Sequence, residues 1–165
     1  MTPYENIITR QSVRKYTDAP VSEEDLNKII NAAIHAPSGK NGQPWKFKVV
    51  TDKGLIEQVS ALSINRRWMQ VAPCLICIFL DTECSYDFIK DVQSCGAAMQ
   101  NILLCAHSLG MGSCWIGDIL KSEEAIKRIL GISSMNLKVM GIISLGYSTG
   151  TAQQTERKPL SSFLL

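Results

Sequence analysis

Seven consecutive apolar residues, Cys74-Leu75-Ile76-Cys77-Ile78-Phe79-Leu80, narrow the architectures open to this chain. The run has strand length, and with no polar position in it both faces of the strand must be covered, which places it centrally in a sheet. Cover is available close by. Phe88 to Leu109 is rich in Ala, Met, Gln and Leu and carries Lys90 and Asp91 as its formal charges, so it predicts a long, largely buried helix. Gly110 follows where a left-handed C-terminal cap belongs.

The remaining elements are read from caps and periods. Thr2-Pro3-Tyr4-Glu5 combines a cap, a proline at the first helical position and a reciprocal glutamate, which starts a short helix. Ser22 caps a second, with acids in its first turn and an apolar stripe of Leu26, Ile29, Ile30, Ala33 and Ile34, and Pro37 stops it. Trp45, Phe47 and Val49 alternate with Lys46 and Lys48, the period of a strand with one face buried and its lysines in solvent. Leu55–Leu62 and a capped Ser122–Leu130 read as helices; 111–116 and Leu137–Leu145 read as strands. Helices come first and then alternate with strands, giving an α+β chain, here a single domain over residues 1–165. Periodicity alone leaves a doubly wound parallel sheet open.

Charge is nearly balanced, 17 basic against 15 acidic residues, which leaves no footprint for nucleic acid or a membrane surface. The longest apolar run, Val71 to Leu80, has ten residues and a proline, well short of the roughly 20 that a membrane span needs. With no apolar leader at the start and several of the six cysteines in segments that read as buried, the expectation is a cytoplasmic protein with reduced thiols.

Two polar stretches remain. In Arg10-Gln11-Ser12-Val13-Arg14-Lys15, two guanidiniums and a hydroxyl occupy every second position, so an extended backbone aims all three the same way. Such a trio suits a phosphate, through planar guanidinium forks and a short hydroxyl donor; the alternative is a solvated basic loop. In Ala36-Pro37-Ser38-Gly39-Lys40-Asn41-Gly42-Gln43-Pro44-Trp45, two prolines and two glycines forbid a helix. Asn41 and Gln43 carry donors and acceptors that match the mixed edge of a heterocycle such as a flavin pyrimidine. The alternative is an ordinary connection ending in a core tryptophan.

Together these stretches resemble the nitroreductase family of FMN-dependent oxidoreductases, whose members open with R-x-S-x-R and follow it with A-P-S-x-x-N-x-Q-P-W. The likeness extends to Asn65, to Ala72-Pro73 before the apolar strand, to Gly110–Gly117, and to a tail bearing Arg157 and Pro159. It implies a central, mainly antiparallel sheet flanked by helices, an intertwined homodimer and FMN at the subunit interface. The cofactor-binding positions it implies are Arg10, Gln11, Ser12, Arg14, Asn65, Trp115, Ile116, Gly117 and Arg157, with Pro37, Ser38, Gly39, Asn41 and Gln43 approaching from the second subunit. The chemistry would then lie on FMN, with no residue strictly required as acid or base. Hydride would pass from NADH or NADPH through FMN to a nitroaromatic, quinone or similar small acceptor in a ping-pong cycle, and the apolar tail 159–165 would dock on the partner. Relatives that fragment flavin, dehalogenate or oxidise azolines set one alternative, and a non-catalytic FMN or nucleotide-binding module another.

The chain also departs from the family. It is shorter than the well-known members, Gln11 stands where a basic residue or histidine is common, and Trp68 where some place a flavin-contacting lysine. Three further patterns carry no chemistry. Cys74 and Cys77 have redox-motif spacing, but three residues apart in a strand they face opposite ways. Gly110-x-Gly112 has Trp115 at the third glycine position and follows a helix instead of opening one. His35 and His107 lack metal-ligand partners at useful spacing, so no metal is expected.

Overall fold

The computed structural model describes residues 1–150 and 155–165. Its α-helices are α1 (Pro3–Thr9), α2 (Glu23–Ile34), α3 (Lys53–Ser60), α4 (Arg66–Met69), α5 (Phe88–Ser108) and α6 (Glu123–Ile129). Its strands are β1 (Trp45–Val50), β2 (Cys74–Asp81), β3 (Gly112–Ile116) and β4 (Leu137–Gly146), in the sheet order β1-β2-β4-β3. Every neighbouring pair is antiparallel, which removes the doubly wound alternative.

Strand β2 is wholly buried because the sheet is a middle layer. Cys74, Ile76, Ile78 and Leu80 pack on one side with Ile29 and Ala33 of α2 and with Ala98, Met99 and Ile102 of α5. Leu75, Cys77 and Phe79 pack on the other with Ile56 and Val59 of α3, Met69 of α4 and Ile126 of α6. Each such aliphatic side chain contributes about 1.5–3 kcal/mol on burial. The two cysteines of the C-x-x-C thus lie in different layers, and burial pushes both thiols up to about 12, far from a reactive thiolate.

The caps read at α1 and α2 form: Thr2 and Glu5 make the reciprocal box and Ser22 accepts from the Asp25 N–H. Asp52 and Asp87, not singled out in the sequence, cap α3 and α5 in the same way. Gly110 and Gly131 close α5 and α6 at φ 77° and 67°. Three details differ from the sequence reading. Helix α3 runs two residues earlier than Leu55–Leu62, because Asp52 caps it. Ser122 makes no side-chain cap at α6, because a 3₁₀ turn, Asp118–Ser122, runs directly into the helix. The four residues of α4 were not foreseen, being too short to show a period.

Helix α1 is tied to α5 by Asn6 Nδ2, which donates to the Leu104 carbonyl at 3.1 Å, but buries none of its own residues. Tyr4, Ile7 and Ile8 stay exposed, as do Leu160, Phe163 and Leu164 of the tail.

Candidate functional site

The basic stretch adopts the extended form its alternation requires. Arg10 leaves α1 at φ −58°, ψ 131°, and the segment runs beside β3, where Ser12 bridges Ser113 in parallel and the Val13 N–H donates to the Ser113 carbonyl at 3.0 Å. Tyr16 pins its far end. The phenol donates to the Val13 carbonyl at 2.7 Å and lies 2.7 Å from Ser144 Oγ, and burial raises its pKa well above the ordinary phenol value.

So held, Arg10, Gln11, Ser12 and Arg14 line a cavity of about 170 Å³ together with Ile8, Thr155 and Arg157. Three guanidiniums from opposite ends of the chain therefore share one small space. Among the described residues none of the three has an ion-pair partner. Arg157 donates to Thr155 Oγ1 at 3.3 Å, and the Arg14 guanidinium lies 5.4 Å from the centroid of Trp68. Gln11 Oε1 is buried and has no hydrogen-bond partner among the described residues. An acceptor stranded among cations marks a place where a further donor or a solvent-bridged group belongs. His107, 2.9 Å from Thr9 Oγ1, is held below the usual imidazole value by burial and by the nearby Arg10 charge.

The amide loop lies elsewhere in the chain. A 3₁₀ turn, Gly39–Asn41, follows Ser38, and Lys40, Asn41 and Gln43 all take positive φ, at 54°, 55° and 48°. Ser38 ties the loop together: its carbonyl accepts from the Asn41 N–H at 3.0 Å and its Oγ from the Gln43 N–H at 3.1 Å. A Cβ on Gly39 would overlap the Tyr86 ring, so only glycine lets the loop sit this close. Pro37, Ser38 and Gly39 form one wall of a separate cavity of about 320 Å³ whose other walls are Tyr86 and the start of α5. Clamp and loop thus line different cavities of one chain.

The other expected positions cluster around the end of β3. Ile116 is buried, while Trp115 remains 41% exposed, lying over Gly96 of α5 and Gly141 of β4, where an added Cβ would sit 3.8 Å and 3.0 Å from the indole. Gly117 is exposed at the end of the strand. Asn65 Nδ2 donates to Asp118 Oδ1 at 2.8 Å, and Asp118 also accepts from Ser63 Oγ and the Ile64 N–H. Partial burial works to raise the Asp118 pKa, but these three bonds outweigh it and hold the carboxyl below its ordinary range. Asp118 was not singled out in the sequence; its one signal there is a lone carboxylate directly after Gly117.

A model described as "Nitroreductase family" matches residues 7–147, spanning the clamp, the amide loop and the whole sheet. The chain belongs to the nitroreductase family. A protein of Archaeoglobus fulgidus named "Putative NADH dehydrogenase/NAD(P)H nitroreductase" is 40% identical over 144 residues, which is 86% of this chain and 82% of that one. A solved "putative nitroreductase in complex with fmn" from Desulfovibrio desulfuricans superposes with a TM-score of 0.94 at 35% identity, over 100% of this chain and 96% of that one. An "FMN-dependent Nitroreductase" of Clostridium difficile matches at 0.81 and 32%, over 96% and 93%. The shorter length of this nitroreductase-family chain is thus shared with some of its relatives.

All six thiols are free, burial raises Cys95 to about 12, and Cys114 is raised by burial despite the opposing pull of Arg14 and Arg10. His35 Nδ1 pairs locally with the Asn31 carbonyl. No group of metal-ligating side chains occurs among the described residues, and no helix there is long and apolar enough to cross a membrane.

Proposed function

We propose that this chain is an FMN-dependent NAD(P)H oxidoreductase in which Arg10, Ser12 and Arg14 hold the phosphate, ribityl chain and N1/C2 edge of the cofactor, with Arg157 as a second phosphate cation. One observation carries the reading: three guanidiniums and a Gln11 carbonyl, with no carboxylate or hydrogen-bond partner respectively among the described residues, surround one cavity. Gathering like charges is unfavourable unless an anion joins them, and a phosphate dianion offers each fork a charge-assisted hydrogen bond. The residues present therefore fit FMN.

Bound there, FMN supplies the hydride acceptor and donor chemistry of the reaction. The chain supplies orientation. Gln11 offers its buried acceptor on the floor of the site, and a guanidinium near the N1/C2 edge of the ring favours two-electron over one-electron chemistry. Trp115, Ile116, Gly117 and Asn65 would add contacts from the end of β3, with Asp118 keeping Asn65 in one orientation. Pro37, Ser38, Gly39, Asn41 and Gln43 would reach the ring from a second copy of the chain. The exposed apolar residues of α1 and of the tail support such a homodimer. NADH or NADPH is the proposed donor and a nitroaromatic or quinone the acceptor, each stacking in turn at one site; the six free thiols suit a reducing cytoplasm.

The test is direct. Purified protein retains or can be reconstituted with FMN and is yellow, and NAD(P)H bleaches it without air. Protein that cannot be loaded with FMN would end the reading, and loaded protein that oxidises no NAD(P)H with a quinone present would reduce it to a binding module.

A further inference from the structure

Beside the amide loop lies a second cationic feature with a different construction. Tyr86 packs its ring against Gly39 so closely that no side chain fits there, and two ammonium groups attend it: Lys40 Nζ at 4.8 Å from the ring centroid and Lys90 Nζ at 5.3 Å. The turn that carries the ring is fixed from below. Asp91, fully buried in the first turn of α5, accepts through Oδ2 from Ser85 Oγ at 2.7 Å, the Tyr86 N–H at 3.1 Å and the Asp87 N–H at 3.3 Å, locking the turn that presents the tyrosine.

Lys40 pays for its position. It is a non-glycine residue at φ 54°, a conformation costing roughly 1–2 kcal/mol for an L-residue and retained where the surroundings enforce it. Lys90 also faces Asp87, 3.5 Å away on the same helical turn, whereas among the described residues Lys40 has no carboxylate partner. The cavity next to them is lined by Pro37, Ser38, Gly39, Tyr86, Lys90 and Ser94, among others, so it offers one aromatic ring, the Lys90 ammonium and two serine hydroxyls, with Lys40 over the same ring. A neutral quinone or nitroarene has no use for two ammonium groups. A substrate with a flat heterocycle joined to a phosphate chain uses all of it: a base stacks on an aromatic ring, and lysines act as point charges for phosphate.

We infer that the Lys40–Tyr86–Lys90 cluster is a subsite for the adenosine-pyrophosphate end of the nicotinamide donor, at the outer edge of the proposed flavin site. This rests on the reading that the amide loop borders the flavin. The cluster would then set how tightly NADH and NADPH bind while leaving the hydride step to the ring.

Anaerobic rapid mixing tests it on the FMN-loaded protein. Flavin bleaching is followed with NADH and with 1-benzyl-1,4-dihydronicotinamide, which has the reacting ring but no phosphate or adenine. In the Lys40→Gln/Lys90→Gln double variant the apparent Kd for NADH should rise about tenfold, with the limiting bleaching rate and the response to the benzyl compound unchanged. In the unmodified enzyme, added KCl should weaken NADH and not the benzyl compound, a readout independent of how the variants fold. Equal effects on both donors, no effect on either, or weakening confined to a carboxylated acceptor would overturn the subsite. Failure to bind FMN or to be bleached by the benzyl compound would instead sink the flavin reading beneath it.

Discussion

Replacing Gly112 by alanine isolates what holds the clamp in place. A Cβ built on Gly112 lies 2.5, 2.6 and 2.7 Å from Cγ1, Cβ and Cγ2 of Val13, where ordinary contacts between such atoms are 3.4–4 Å. Turning the Val13 side chain cannot relieve a clash with its own Cβ, so the backbone of the clamp must retreat by about 1 Å. That displacement stretches the 3.0 Å bond from the Val13 N–H to the Ser113 carbonyl beyond hydrogen-bonding range. Overpacking of this kind costs about 1–3 kcal/mol, a fall in Tm of about 2–10 °C for a chain of this size. Arg10, Ser12 and Arg14 ride on the same backbone. Losing one charge-assisted bond to phosphate is worth about 1.5–3 kcal/mol, so FMN affinity should fall about ten- to hundredfold. Gly110→Ala is the control, because φ 77° strains an alanine by roughly 1–2 kcal/mol while no atom of the described residues lies within 4 Å of the added methyl. Titration of FMN fluorescence against each apoprotein, with Tm measured alongside, separates them. Equal FMN affinity in the two variants would refute the claim that the register of Val13 on β3 positions the phosphate site.

Two other outcomes follow from the same geometry. Arg14→Ala should weaken FMN retention about tenfold or more while Lys53→Ala, on α3 and away from the clamp, leaves it unchanged; Arg14→Lys should recover only part, since an ammonium keeps the charge without the fork, and equal retention in the first two would show the clamp misread. Asp118→Asn should lower Tm by a few degrees at neutral pH, because hydrogen bonds from Ser63, Ile64 and Asn65 favour the carboxylate. Its folded-state pKa is depressed, so that stability is present above about pH 4 and lost as pH falls through the folded value. The Tm gap between variant and parent should therefore close in acid, and a gap constant down to pH 2 would show that the charge plays no part.

The order and type of the long elements were legible because burial and local signals agree. The apolar run of β2 announced cover on both faces, and α5, with its cap at Asp87 and its stop at Gly110, supplied the larger part of one layer. What the run could not say was strand direction: unbroken hydrophobicity is the mark of parallel sheets between helix layers, and here an antiparallel sheet is sandwiched in the same way. Pairing direction depends on which strands meet across long sequence separations, as when β4 enters between β2 and β3, and no residue of β2 encodes it.

The two halves of the site were unequally legible for a related reason. Alternation in Arg10-x-Ser12-x-Arg14 is a local property, so the extended backbone that unites the three could be inferred from the residues themselves, and Arg157 joins them only because chain ends separated by well over a hundred positions meet. The amide loop advertised its turns through Pro and Gly, yet its positive-φ positions fall on Lys40, Asn41 and Gln43 and spare Gly39 and Gly42. Gly39 answers instead to space, since Tyr86 occupies the volume a side chain would need. The pairing of residue 39 with residue 86 is written in no local pattern, and from it comes the ring flanked by Lys40 and Lys90. Gly39, which in the sequence only helps to forbid a helix, is in the folded chain the point where the Tyr86 ring is seated.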